Sequence, residues 1–248
     1  MHKNVLLITG GAKRIGAQLA LDHARRGWDV VLHTHISMMQ AAALQRQIID
    51  LGRRAWVVQA DLAEQGAGAI LMEEALALAG AVDALIHNAA HFSPDTFATH
   101  TEESWQQHQQ VNVIAAKDLT QALYRHHLQR GTQGSVVYIM DYIVAAPVPP
   151  SFFSYVASKR ALRLLTEELA VHTAPTLRVN GVAPGPVHPG ERESQQHFDG
   201  IATANPLQYQ VTAEDLCQAI AFLISQPAVT GQILYVDGGK RLTAEVYT

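Results

Sequence analysis

Several things are scarce in this 248-residue sequence, and each scarcity removes a class of protein. There is one cysteine, Cys217, so no disulfide can close within the chain, and a reducing, cytoplasmic setting is expected. Charged residues make up 16%, the net charge is −4, and no dense run of Lys or Arg occurs, so a nucleic-acid partner is not expected. No apolar stretch approaches the roughly 20 residues that a membrane span needs. The opening run Val5–Ile8 is too short for a signal-peptide core and gives way to the turn Thr9-Gly10-Gly11. Although there are 13 histidines, they are scattered. Neither His-Glu-x-x-His nor Cys-x-x-Cys occurs, so no metal is expected.

What is present is a regular alternation of short β-type runs with longer helical patterns. Strands are predicted at Val5–Thr9, Asp29–Thr34, Ala55–Gln59, Ala84–His87, Ser135–Met140, Arg178–Val182 and Ile233–Val236. Helices are predicted at Arg14–Arg26, Met39–Leu51, Ala67–Ala79, Glu102–Gln129, Tyr155–Val171 and Ala213–Ser225. Several strands are uninterrupted apolar runs, as expected of parallel strands covered on both faces. The pattern implies an α/β fold: a Rossmann-type, doubly wound parallel sheet of about seven strands in a single domain spanning 1–248. From Pro184 to about Gln210 the rhythm breaks into a Pro- and Gly-rich stretch, read as a substrate loop over the carboxyl edge of the sheet.

The first strand runs straight into Thr9-Gly10-Gly11-Ala12-Lys13-Arg14-Ile15-Gly16, a glycine turn that opens a helix. Glycine lets the main chain approach a pyrophosphate, and the helix start offers N–H groups and partial positive charge. The second strand ends His33-Thr34-His35-Ile36-Ser37 without the carboxylate that NAD sites place there, which favours NADP. Arg14, His35 and Ser37 are the candidate partners of its 2′-phosphate. Asp61 and Leu62 follow the third strand, and Asn88 and Ala89 the fourth. From position alone, Asp61 and Asn88 read equally as cofactor contacts and as turn or cap residues.

Tyr155 and Lys159 stand four apart at the start of a periodic helix, one turn from each other. An ammonium beside the phenol is expected to favour the phenolate and so to suit it for proton transfer. Asp141 closes the fifth strand in Tyr138-Ile139-Met140-Asp141. Taken alone it reads as a cap on the strand end or as a partner for the phenol.

Together these residues resemble the short-chain dehydrogenase/reductase family along essentially the whole chain. The matching motifs are the Thr9–Gly16 turn, Asp61-Leu62, Asn88-Ala89, Val111-Asn112-Val113, Tyr155/Lys159, Arg178-Val179-Asn180, Pro184-Gly185 and Val236-Asp237-Gly238-Gly239. The resemblance implies that Lys159 also bonds the nicotinamide ribose and that Asn112 supports a water-linked proton relay. It further implies that Pro184 and Gly185 line the nicotinamide face and that the chain forms a homotetramer. Two departures narrow it: Arg14 replaces a glycine, and Asp141 stands where the family has serine. Both resemble the pteridine reductase and dihydromonapterin (dihydrofolate) reductase branch, whose pterin-stacking aromatic corresponds to Phe92. Ile36 departs from that branch, which has arginine there. The expected activity is NADPH-dependent reduction of a dihydropterin or dihydrofolate, with Arg14, Phe92, Asp141 and Tyr155 at the substrate. Its alternatives are a carbonyl reductase of the same family, such as a 3-oxoacyl-thioester reductase, and an idle NADP-binding protein.

Overall fold

The computed structural model describes residues 4–147, 151–190 and 194–243. Strands β1 (Val5–Thr9), β2 (Asp29–Thr34), β3 (Ala55–Gln59), β4 (Ala84–His87), β5 (Gly134–Ile139), β6 (Leu177–Pro184) and β7 (Ile233–Val236) form one parallel sheet. Their order is β3-β2-β1-β4-β5-β6-β7. Every residue of β1 and β2 is buried, because helices cover both faces.

Successive side chains sort by the two-residue pleat. Val5 and Leu7 enter the core beneath α3 (Ala67–Ala79), α5 (Ala115–Arg130) and α6 (Phe153–Thr173). Leu6 and Ile8 enter the opposite core, beneath α1 (Arg14–Arg25), α2 (Met38–Asp50) and α8 (Ala213–Ser225). The chain winds outward from β1 to β3 and then returns to β4 on the other side. The β1/β4 boundary is therefore the switch point, and the crevice beyond its carboxyl ends is where such sheets bind ligands.

Three expectations need correction. The predicted helix Glu102–Gln129 is split into α4 (Glu102–Gln109), a π-turn (Gln110–Ile114) and α5. The break follows from side chains that engage this turn: the buried His87 ring meets the Val111 carbonyl at 3.2 Å, and Asn112 is tied outward to neighbouring segments. The predicted helix Tyr155–Val171 begins at Phe153, because the Asp95 carboxylate, from a distant loop, accepts the Ser154 N–H at 2.9 Å. The 184–210 stretch is also not all loop. β6 runs on to Pro184, and α7 (Gln195–Thr203) forms behind it, capped by Ser194 and anchored by buried Phe198 and Ala202. Asn205 and Lys240 bind carbonyls at the end of that helix. Glu191, Arg192 and Glu193 of the predicted loop lie outside the described residues. Among the described residues, no helix is long and apolar enough to cross a membrane.

Candidate active site

At the switch point the backbone leaves β1 through Gly10, whose φ of +61° is left-handed. Added side-chain atoms would strike the Ala89 main chain at Gly10 and the Gly10 carbonyl at Gly16, so both positions need glycine. Three polar side chains hold this turn. The Thr9 hydroxyl accepts the N–H groups of Asn88 and Ala89, each at 3.0 Å. It spends its own proton on His87 Nδ1 at 3.1 Å, leaving Nε2–H for the Val111 carbonyl. Asn88 donates to the carbonyls of Thr9 and Gly10 at 3.1 and 3.0 Å and so holds the turn. His33 accepts the Gly10 N–H at 3.1 Å and gives its other nitrogen's proton to Ala60 O. Burial brings His33 down to about 4. Burial, with the Lys159 charge, brings His87 down to about 3. Both imidazoles are neutral structural pegs at physiological pH.

The ends of β2 and β3 bring His35, Ser37, Asp61 and Leu62 to one corner. His35 Nε2 lies 3.6 Å from Asp61 Oδ2. The other Asp61 oxygen accepts the Ala63 N–H at 2.9 Å, so this residue shapes the turn as well. The Leu62 side chain belongs to the core, which leaves only its main chain for a ligand. Ser37 is the first residue before α2, yet its hydroxyl makes no capping bond. Helix α1 likewise has no side-chain cap and no acid in its first turn, and Ile15 lies there. Its leading N–H groups and positive dipole end thus suit a pyrophosphate. Pro184 ends β6, and Gly185 is fixed by its N–H to Val236 O at 2.9 Å. A side chain at Gly185 would press on the Asp237 main chain.

Arg14, expected at both the 2′-phosphate and the substrate, turns away from β2. Its guanidinium donates to Pro189 O at 2.9 Å and His188 O at 3.4 Å, in the segment beyond β6. That is the opposite side of β1 from β2, where a 2′-phosphate would be read. Arg14 holds φ +52°, a conformation that costs a non-glycine residue about 1 kcal/mol or more. The head-group bonds to two carbonyls hold it there, beside the segment that follows β6.

Across the switch point, Asp141 follows β5 with one oxygen accepting the Ile143 N–H at 3.1 Å. Its other oxygen accepts the Tyr155 hydroxyl proton at 3.0 Å. Tyr155, on the first turn of α6, is only 6% exposed. Lys159 lies one turn on and is also buried; its ammonium donates to Ile139 O at 2.9 Å, 5.8 Å from the Tyr155 ring centre. Burial lowers Lys159 to about 8, with the Asp141 charge opposing. Burial also pushes the Asp141 carboxyl up, against the Ile143 N–H and the Tyr155 hydroxyl.

Here the expected phenolate is corrected: burial and the adjacent Asp141 carboxylate hold Tyr155 well above its ordinary value. Its resting state is a neutral phenol, proton in place, aimed at a carboxylate. Phe92 meets the Tyr155 ring edge-on at 4.7 Å and stacks on Phe152 at 5.0 Å, while remaining 58% exposed. A flat, largely uncovered aromatic face beside the phenol is what ring stacking requires. Asn112, in the π-turn, spends its side chain on His91 N, His91 O and Ser158 Oγ at 2.8, 3.1 and 2.8 Å. The side chain is thus a clamp, which leaves only its main chain for a relay. Thr9 and His33 lie within the quoted motifs but their holding roles were not read there, and Asp95 was not singled out at all. The one available signal was a histidine in the otherwise apolar run Val30-Val31-Leu32.

Residues 10–241 match the family model described as enoyl-(acyl carrier protein) reductase, a short-chain dehydrogenase/reductase model. This chain belongs to the short-chain dehydrogenase/reductase family. As a member it is an oxidoreductase. Among solved structures, it is similar to FolM alternative dihydrofolate reductase 1 from Brucella canis, complexed with NADP. Identity is 33%, TM-score 0.92, and coverage 98% of this chain and 95% of that one. It is also similar to acetoin dehydrogenase YohF from Salmonella typhimurium, at 28% identity, TM-score 0.88, and 97% and 98% coverage. Ketoacyl reductase 2 of the granaticin polyketide synthase from Streptomyces violaceoruber is 31% identical over 96% of both chains.

Proposed function

We propose that this oxidoreductase uses NADPH to reduce a pterin-type substrate, a dihydropterin or dihydrofolate, to the tetrahydro form. The observation that carries the proposal is the 3.0 Å bond between Tyr155 and Asp141. A serine at the strand end suits an alkoxide that develops when a carbonyl is reduced. A carboxylate instead can accept hydrogen bonds from an aminopyrimidine and, on taking up a proton from solvent, pass it to the phenol oxygen beside it. The NADP-bound dihydrofolate reductase relative, matched over nearly the full length, supports the same reading.

The residues fit the dinucleotide. The glycine turn and uncapped α1 start would hold the pyrophosphate, with Ile15, Ala89 and Leu62 contributing main chain. His35 and Ser37 would meet the 2′-phosphate, and Asp61 and Asn88 would flank the adenosine half. Lys159 would bond the nicotinamide ribose, and Pro184 and Gly185 would line the ring. When bound, the nicotinamide supplies the hydride. Phe92 stacks the flat substrate ring, and Arg14 meets its polar edge. Tyr155 gives its proton to the ring nitrogen adjacent to the carbon reduced. Asp141 steadies the phenol; after the transfer its carboxylate takes up a proton from solvent and passes it to the phenolate oxygen, whose charge the Lys159 ammonium offsets meanwhile. Supply of that proton past Asn112 would run over the main chain of the π-turn. The proposal extends to action in the cytoplasm as a homotetramer, for which apolar Leu164 and Val171, exposed on α6, offer contact surface.

A carbonyl substrate is the second reading, favoured by the ketoacyl reductase relative. Measuring NADPH and NADH oxidation with dihydrobiopterin, dihydrofolate and acetoacetyl thioesters separates them. Turnover of the pterins with NADPH is expected; turnover of the thioester alone would replace the proposal.

A further inference from the structure

The segment after β4 carries Phe92 on a short extended run whose residues alternate like those of a strand. Ala90, Phe92 and Pro94 are exposed, whereas His91, Ser93 and Asp95 turn inward. Each inward residue is tied down. Asn112 brackets the His91 main chain on both its N–H and its carbonyl. Asp95 holds the Ser154 N–H at the start of α6 and the Ser104 hydroxyl of α4 at 3.3 Å. The middle tie is His108 of α4. This imidazole is completely buried and uses both nitrogens: Nδ1–H donates to Ser104 O at 2.8 Å, and Nε2 accepts the Ser93 N–H at 3.4 Å.

The His108 ring also packs on its neighbours. It meets the His91 ring edge-to-face at 4.5 Å and faces the Tyr155 ring at 6.3 Å, inclined by 65°. His91 in turn reaches the Ser93 hydroxyl at 3.2 Å. One buried side chain therefore touches both the run that carries Phe92 and the ring of the proton-donating phenol. Phe92 itself contacts that phenol edge-on. A sliding of the 91–95 run by 1 Å would move the stacking face relative to the Tyr155 hydroxyl, and small misplacements of this kind can cost about a hundredfold in rate.

We infer that His108 is a positioning residue that sets the height of Phe92 above Tyr155, and thereby the placement of the substrate ring on the phenol. It touches neither substrate nor cofactor, and the cofactor turn is held separately by Thr9, Asn88 and His33. The inference rests on the pterin reading only for the identity of the stacked ring.

His108→Leu removes both hydrogen bonds, and His108→Gln returns an acceptor at about the reach of Nε2. For His108→Leu, KM for dihydrobiopterin should rise and single-turnover hydride transfer should slow, each roughly tenfold, the loss of one buried hydrogen bond. Its Kd for NADPH, read by fluorescence, should stay within about twofold, and His108→Gln should recover most of the loss. Wild-type KM and hydride-transfer rate in His108→Leu would overturn the inference. Equal losses of NADPH and substrate binding would overturn it too, since they would mark general damage to the fold. Should His108→Leu fail to fold, His108→Phe keeps the ring volume without the acceptor and is read in the same way. Wild-type protein that ignores dihydrobiopterin but reduces the thioester refutes the pterin reading instead. The same variants are then measured on the thioester.

Discussion

The two sides of the switch point bury polar groups by opposite rules. Around the glycine turn, where β1, β2 and β4 end, Thr9, His33, His87 and Asn88 are bound to main chain or to one another, and both imidazoles are held neutral. Nothing there has a proton to spare, so the turn beneath the expected pyrophosphate is fixed. On the β5–α6 side, Asp141, Tyr155 and Lys159 are also buried, yet Tyr155 donates to Asp141 while Lys159 binds the Ile139 carbonyl, and burial moves the carboxyl up and the ammonium down, each toward its neutral form. Burial rigidifies where every valence is closed within the chain. It activates where a donor and an acceptor are left facing the crevice.

The sharpest way to break this contrast is Tyr155→Phe, which deletes the transferable proton but keeps the ring against Phe92 and His108. A fall in kcat of about a thousandfold is expected, with NADPH affinity little changed, from steady-state rates and a fluorescence titration. Next come Asp141→Asn and Asp141→Ser, each expected to lower pterin turnover about a hundredfold; near-wild-type kcat in both would remove Asp141 from the chemistry.

Stability against pH reads both sides at once. Folded His33 and His87 titrate at about 4 and about 3, below the ordinary 6.5 of an unfolded histidine. Between those values the unfolded chain binds protons that the folded one refuses, so stability falls as pH drops from 6.5 toward 4, by about 1.4 kcal/mol per pH unit for each histidine. Lys159 acts in a separate alkaline window. Its folded value of about 8 lies below the unfolded 10.5, so its contribution makes stability rise with pH between them. In urea melts across pH, His33→Gln should flatten only the acid window and Lys159→Met only the alkaline one. The smallest effect is expected for Phe92→Ala: a three- to tenfold rise in pterin KM, the size of one aromatic contact, with NADPH Kd unchanged. An unchanged KM would leave the ring without a stacking partner.

The comparison also explains what could be read in advance. The meeting of Tyr155 with Asp141 was expected from the family resemblance, since a Tyr and Lys four apart on a helix read by themselves as an ordinary surface pair. Gly10 and Gly16 were legible because only glycine tolerates the close approach. The direction of Arg14 was not legible, since its long side chain could serve either side of β1 and the choice of the His188 and Pro189 carbonyls depends on a distant segment. The state of Tyr155 was misread for a similar reason. Position along the helix brings the lysine near, but the chain fold brings the carboxylate nearer.

Local pattern by itself determined the strands, most helices and the parallel sheet, because each follows from periodicity within a few residues. Tertiary structure alone decided the π-turn at Asn112, helix α7, the direction of Arg14 and the resting protonation of Tyr155. Those depend on hydrogen bonds and burial among residues tens of positions apart, and their strength is set by distances that exist only once the sheet has closed.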